Sequence, residues 1–128
     1  MRLLLDTHVL IWALVEPERL AAKVRAELED PANEVLFSAA SVWEMAIKSA
    51  LGRADFRVSP ETLVRGAQAT GFVELTVRSA AALKVASLPP HHRDPFDRLL
   101  VAQAMTEPAL LYTADVQLLA YSDLVVRI

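Results

Sequence analysis

Acidic residues that could share a task are spread along the whole chain: Asp6, Glu44, the pair Asp94 and Asp97, and Asp115. The tightest grouping is the stretch Asp94-Pro95-Phe96-Asp97. Asp-Pro is a helix-start signal, because an N-cap Asp accepts free backbone N–H groups and proline suits the first helical position. Three residues apart, the two carboxylates are neighbours on the helix surface. Taken alone, they read as a cap and a complement to the helix dipole. They acquire chemistry only if more carboxylates arrive from elsewhere, since clustered like charges need a neutralising partner. The chain has no cysteine, so thiolate metal sites are excluded. Oxygen ligands without thiolate favour Mg²⁺ or Mn²⁺ over zinc, and such ions can activate water and stabilise charge on a phosphate under in-line attack.

Whether the acids can meet depends on the elements that carry them. Arg2 to Leu5 reads as a short buried strand that stops at Asp6-Thr7-His8, and helical spacing follows in Val9, Leu10, Ala13 and Leu14. After Glu16-Pro17, a second helix is expected over about Glu18 to Glu29, with Leu20, Val24 and Leu28 as its apolar stripe. Asp30 to Asn33 is a turn, and Glu34 to Phe37 is the next strand, ending at Ser38. Ser41 and Glu44 have capping-box spacing at the start of a third helix, Glu44 and Lys48 form an i, i+4 pair, and Leu51-Gly52-Arg53 ends the helix. Ser59-Pro60 opens another helix that Gly71 closes. Phe72 to Leu75 is a third strand, and Thr76 is expected to cap a helix running to about Ser87. The Asp94 helix continues to about Thr106, then come a strand over Ala109 to Tyr112, Thr113-Ala114-Asp115, a short helix over Val116 to Ala120 and a last strand over Leu124 to Val126.

Short apolar strands alternating with amphipathic helices indicate an α/β fold, a central mainly parallel sheet flanked by helices on both faces. Ligands of such sheets bind outside the carboxyl ends of the strands, where Asp6 and Asp115 would emerge. Glu44, little more than a turn into its helix, and the N-terminal end of the Asp97 helix can reach the same edge.

Bulk properties narrow the class. The 128 residues fit one domain, and 54% hydrophobic content with three glycines describes a compact chain. The N-terminal apolar run is interrupted by Asp6 and His8, so neither a signal peptide nor a membrane span is expected. A lack of cysteine is compatible with a reducing cytoplasm. The formal net charge of −3 argues against gripping nucleic acid through bulk positive charge. Four acids neutralised by a cation would leave the remaining surface slightly positive.

Leu-Leu-Asp-Thr-His at 4 to 8, Ser-Val-Trp-Glu at 41 to 44, His-Arg-Asp-Pro-Phe-Asp-Arg-Leu-Leu at 92 to 100 with Ala102-Gln103-Ala104, and Thr-Ala-Asp at 113 to 115 together resemble PIN-domain ribonucleases. More narrowly, the pattern looks like the VapC-type toxins of bacterial toxin–antitoxin operons. The match spans residues 1–128 as a single PIN-like domain. It implies an Mg²⁺- or Mn²⁺-dependent endoribonuclease that acts on RNA, forms a homodimer and is silenced by a cognate antitoxin covering the groove. Carried over position by position, Asp6, Glu44, Asp97 and Asp115 match the family's catalytic, metal-holding acids. Thr113 matches a supporting hydroxyl, and Asp94 is expected to cap its helix and reach metal through water.

Other residues have competing readings. Arg93 and Arg98 can bind RNA phosphates or pair with Asp94 or another surface acid, and Lys48 and Arg53 are weaker versions of the same idea. Solvation is expected for His91 and His92, although either could approach metal or substrate. Core packing is expected for Trp12 and Trp43 over stacking on bases. A phosphatase using Asp6 as nucleophile lacks its second acid, since His8 stands two residues on. A catalytically silent PIN-like protein or RNA-binding module is the remaining alternative.

Overall fold

The computed structural model describes residues 1–53 and 57–128. Among the described residues, five short strands, β1 (Arg2–Leu5), β2 (Glu34–Ser38), β3 (Val73–Leu75), β4 (Leu110–Thr113) and β5 (Val125–Arg127), form one sheet in the order β3-β2-β1-β4-β5. Every pairing is parallel. The helices are α1 (Thr7–Val15), α2 (Ala22–Glu29), α3 (Ala39–Ala50), α4 (Pro60–Thr70), α5 (Ser79–Val85) and α6 (Pro95–Thr106).

Side chains alternate across a strand, and here the alternation separates two cores. Leu3, Leu5, Val35, Phe37 and Tyr112 enter one apolar cluster with Val9, Leu10, Val24, Met45 and Leu63 from the helices of that face. Leu4, Leu36, Leu111 and Val125 enter the other with Ala81, Leu100, Val101 and Ala104. Because both faces are covered, the strands read as continuous apolar runs. Among the described residues no helix is long and apolar enough to cross a membrane.

The expected elements are present with shifted boundaries. The helix expected over Glu18 to Glu29 is broken: Pro17–Arg19 is a 3₁₀ turn, Leu20 is extended at φ −91° and ψ 139°, and α2 begins at Ala22. Leu20 and Val24 are buried nonetheless, so the apolar spacing reports burial correctly while missing the backbone break. Thr76 does not cap α5, which starts at Ser79; the Thr76 carbonyl instead accepts from Gln103 Nε2 at 3.3 Å. The last strand begins one residue later than expected. Gly71, at φ 98°, ends α4 in the left-handed region where glycine is tolerated best.

The cap of helix α3 lies three residues before the expected Ser41. Ser38, the last residue of β2, is the N-cap, and its Oγ accepts from the Ala40 N–H at 3.0 Å. The same hydroxyl donates to Gln103 Oε1 of α6 at 2.6 Å, and both side chains are buried. One serine therefore starts the helix that carries Glu44 and ties it to the helix that carries Asp97. Ser38→Ala removes a cap and strands a buried amide oxygen, and should lower stability by roughly 2–4 kcal/mol in urea unfolding. Adding Gln103→Met to that variant should cost less than the sum of the single changes, because the stranded partner goes with it.

Candidate active site

Register places the first two participants. Leu5 pairs with Tyr112, so Asp6 and Thr113 stand side by side just past that pair, and the Asp6 N–H continues the ladder to the Tyr112 carbonyl at 3.0 Å. Asp6 is the N-cap residue of α1, yet its side chain makes no capping bond. Its Oδ2 instead accepts from Thr113 Oγ1 at 2.6 Å. Only 6% of Asp6 is exposed, and burial, partly offset by the Thr113 bond, raises its pKa.

Asp97 enters from α6. Asp94 caps that helix as expected, with Oδ1 accepting from the N–H groups of Phe96 at 2.8 Å and Asp97 at 3.4 Å. Burial first, then the nearby charges of Asp6, Asp94 and Glu44, push the Asp97 carboxyl up to about 7. Asp115 caps the 3₁₀ turn Val116–Ala120 through Oδ1, at 2.9 Å from the Gln117 N–H. Its own N–H donates to Thr113 Oγ1 at 3.0 Å. Thr113 thus links the Asp6 side chain to the Asp115 backbone.

Glu44, only 3% exposed, has partners on both oxygens. Thr7 donates to Oε1 at 2.8 Å and also makes a hydroxyl contact with Ser41 at 2.9 Å, while Lys48 Nζ donates to Oε2 at 2.7 Å. Ser41 serves here as a buried prop for Thr7 rather than as the expected cap. Thr7 belonged to the Leu-Leu-Asp-Thr-His pattern, which assigned it no role.

Asp6, Glu44, Asp94, Asp97 and Asp115 line one cleft of about 300 Å³ together with His8, Trp12, Lys48 and Ala114. Among the described residues, one group offers three potential ligand atoms within 4.8 Å of one another: His92, Asp97 and Asp115. Asp6 and Glu44 stand outside that group on the cleft wall. The carboxylate-rich set suits a hard divalent cation; burial first, and the neighbouring acids next, raise the Asp97 carboxyl.

Several neighbours differ from expectation. His92 is not merely solvated: its side chain is 14% exposed and it contacts Asp115. His91 is exposed, with its ring 5.0 Å from that of Tyr121. Arg98 makes no pair with Asp94; it donates to the carbonyls of Val85, Leu88 and Pro89 and to the Tyr121 hydroxyl. Arg93 and Arg53 are exposed. Trp12 packs partly into the core and lines the cleft, with the Arg19 guanidinium 4.8 Å from its ring centre. Trp43 is not a core residue: it is 61% exposed and meets Phe96 edge-on, with centroids 5.3 Å apart.

The Asp97 shift has a measurable sign. A carboxyl whose folded pKa is raised binds more protons in the native state, so the metal-free protein loses stability as pH rises from about 4 to about 7. Asp97→Asn removes the Asp97 part of that dependence and leaves that of Asp6, which burial also raises. In chelator-treated protein the variant should be roughly 2–4 kcal/mol more stable than wild type at about pH 8, with the gap closing toward about pH 4. Thermal unfolding across that range checks it, and a gap that does not change with pH would contradict the raised pKa assigned to burial and the neighbouring acids.

Comparison with known proteins agrees with this architecture. The fold is similar to that of a chain in the crystal structure of VapBC2 from Rickettsia felis bound to a DNA fragment from their promoter. The TM-score is 0.70 at 12% identity, covering 100% of this chain and 98% of that one. No curated protein matches the sequence. The PIN domain family profile matches residues 3–124, nearly the whole length of a chain whose parallel sheet gathers its acids at one edge, and the protein belongs to the PIN domain family.

Proposed function

We propose that this protein is a divalent-metal-dependent endoribonuclease and the toxin of a toxin–antitoxin pair. The observation that carries the reading is the convergence of Asp6, Glu44, Asp97 and Asp115 on one cleft, with the Asp97 carboxyl held at about 7 by burial and its acidic neighbours. Family membership supports nuclease chemistry, and the likeness to a chain of VapBC2 supports the toxin assignment. A bound Mg²⁺ or Mn²⁺ would supply the Lewis acidity for phosphodiester hydrolysis.

The chain's own residues divide the rest of the work. Asp97 and Asp115, which offer oxygens within 4.8 Å of each other, would be the direct ligands, with Asp6 beside them in the cleft. Thr113 fixes one oxygen of Asp6. With both oxygens engaged by Thr7 and Lys48, Glu44 acts through water, setting charge and orienting the attacking molecule. Asp94 serves as cap. Arg93, exposed next to Asp94, is available to an RNA phosphate, whereas Arg98 contributes by holding the loop before α6. The same reading includes a cognate antitoxin over the cleft, a homodimer and a cytoplasmic site of action.

Purified protein freed of any partner should cleave total cellular RNA with Mn²⁺ present and stop when the metal is chelated. Asp6→Asn and Asp97→Asn should each lose roughly 100-fold or more in rate while remaining folded. A fully active Asp97→Asn would remove that residue from the mechanism.

A further inference from the structure

His92 lies in the loop that leads into α6, and its ring is fixed by contacts on both nitrogens. Nδ1 accepts from the Asp94 backbone N–H at 3.0 Å. Nε2 lies 2.8 Å from Asp115 Oδ2 and 3.5 Å from Asp97 Oδ2. A ring nitrogen that accepts an amide N–H carries no proton, so the proton of the neutral ring sits on Nε2. In that tautomer Nε2 donates to the Asp115 carboxylate and has no lone pair for a cation. Distance alone groups His92 with Asp97 and Asp115 as three ligands, whereas the hydrogen bonds separate it from the other two.

The surrounding bonds hold the ring in place. The His92 backbone N–H donates to the Tyr121 hydroxyl at 2.8 Å, and Arg98 Nη1 donates to the same oxygen at 3.0 Å. Arg98 also binds the carbonyls of Val85, Leu88 and Pro89, which fastens the loop to α6 one residue past Asp97. Tyr121 directly follows the 3₁₀ turn that Asp115 caps. The segment carrying Asp115 is therefore tied to the loop at both ends, by the imidazole at Asp115 and by the phenol at Tyr121.

We infer that His92 is a positioning residue: through Nε2–H it holds the Asp115 carboxylate beside Asp97, and it is not itself a metal ligand. This rests on the reading of the cleft as a divalent-cation site. Two measurements test it. Long-range ¹H–¹⁵N correlation of the neutral ring, with and without Mg²⁺, should show a protonated Nε2 and an unprotonated Nδ1 in both states. Loss of the Nε2 proton on adding Mg²⁺, or the opposite tautomer without it, would overturn the assignment. Mn²⁺ affinity should fall roughly 10- to 100-fold in folded His92→Ala and recover to within about threefold of wild type in His92→Gln, whose amide donor can replace Nε2–H. An unchanged His92→Ala, or a His92→Gln as weak as the alanine variant, would overturn it equally. Wild type that binds no Mn²⁺ would instead remove the cation reading, and the tautomer measured without metal would still decide the donor role.

Discussion

Holding several carboxylates together where water is scarce is the constraint on which this structure turns. Asp6 and Glu44 are almost fully buried, and Asp97 is pushed up to about 7. Desolvation and like charge both oppose such an arrangement. Specific partners offset them: Thr113 on Asp6, Thr7 and Lys48 on Glu44, His92 on Asp115. Helix polarity helps as well, because Asp6 and Asp94 stand at helix N-caps, Asp97 lies in the first turn of α6 and Asp115 caps a 3₁₀ turn. The compensation is partial, and the Asp97 carboxyl stays raised by burial and its acidic neighbours.

Topology decides why the acids gather where they do. The chain lays β2 and β3 on one side of β1, then crosses back to place β4 and β5 on the other. Connections leave β1 and β4 in opposite directions, which opens a crevice between their carboxyl ends. Asp6 and Thr113 face each other at that point. Helices α3 and α6 then bring Glu44 and Asp97 to the same margin.

Much of this was legible in the sequence. Apolar runs of three or four residues located the strands, and Asp94-Pro95 and Gly71 marked helix ends because capping depends on local backbone geometry. The pairing of Glu44 with Lys48 follows from helical spacing. What stayed hidden depends on distant partners. Ser38 outcompeted Ser41 as the α3 cap while also answering Gln103, sixty-five positions away. Thr76 offers its carbonyl to the same glutamine, and α5 starts three residues beyond it, at Ser79. His92 looked like a loop residue bound for solvent until Tyr121 and Asp115, both beyond α6, closed around it. Trp43 misled in the other direction, since its type suggested core and its position on α3 left it outside.

The edge-on contact between Trp43 and Phe96 has a consequence of its own. Each ring belongs to the residue immediately before a site acid, Glu44 in one helix and Asp97 in the other. Below them, the Ser38 hydroxyl joins the same two helices through Gln103. A frame braced at its rim and at its base sets the gap between the two carboxylates during folding. The conformational cost of assembling the site is then met in folding, and a cation held there, as the proposed function has it, would meet walls already in place.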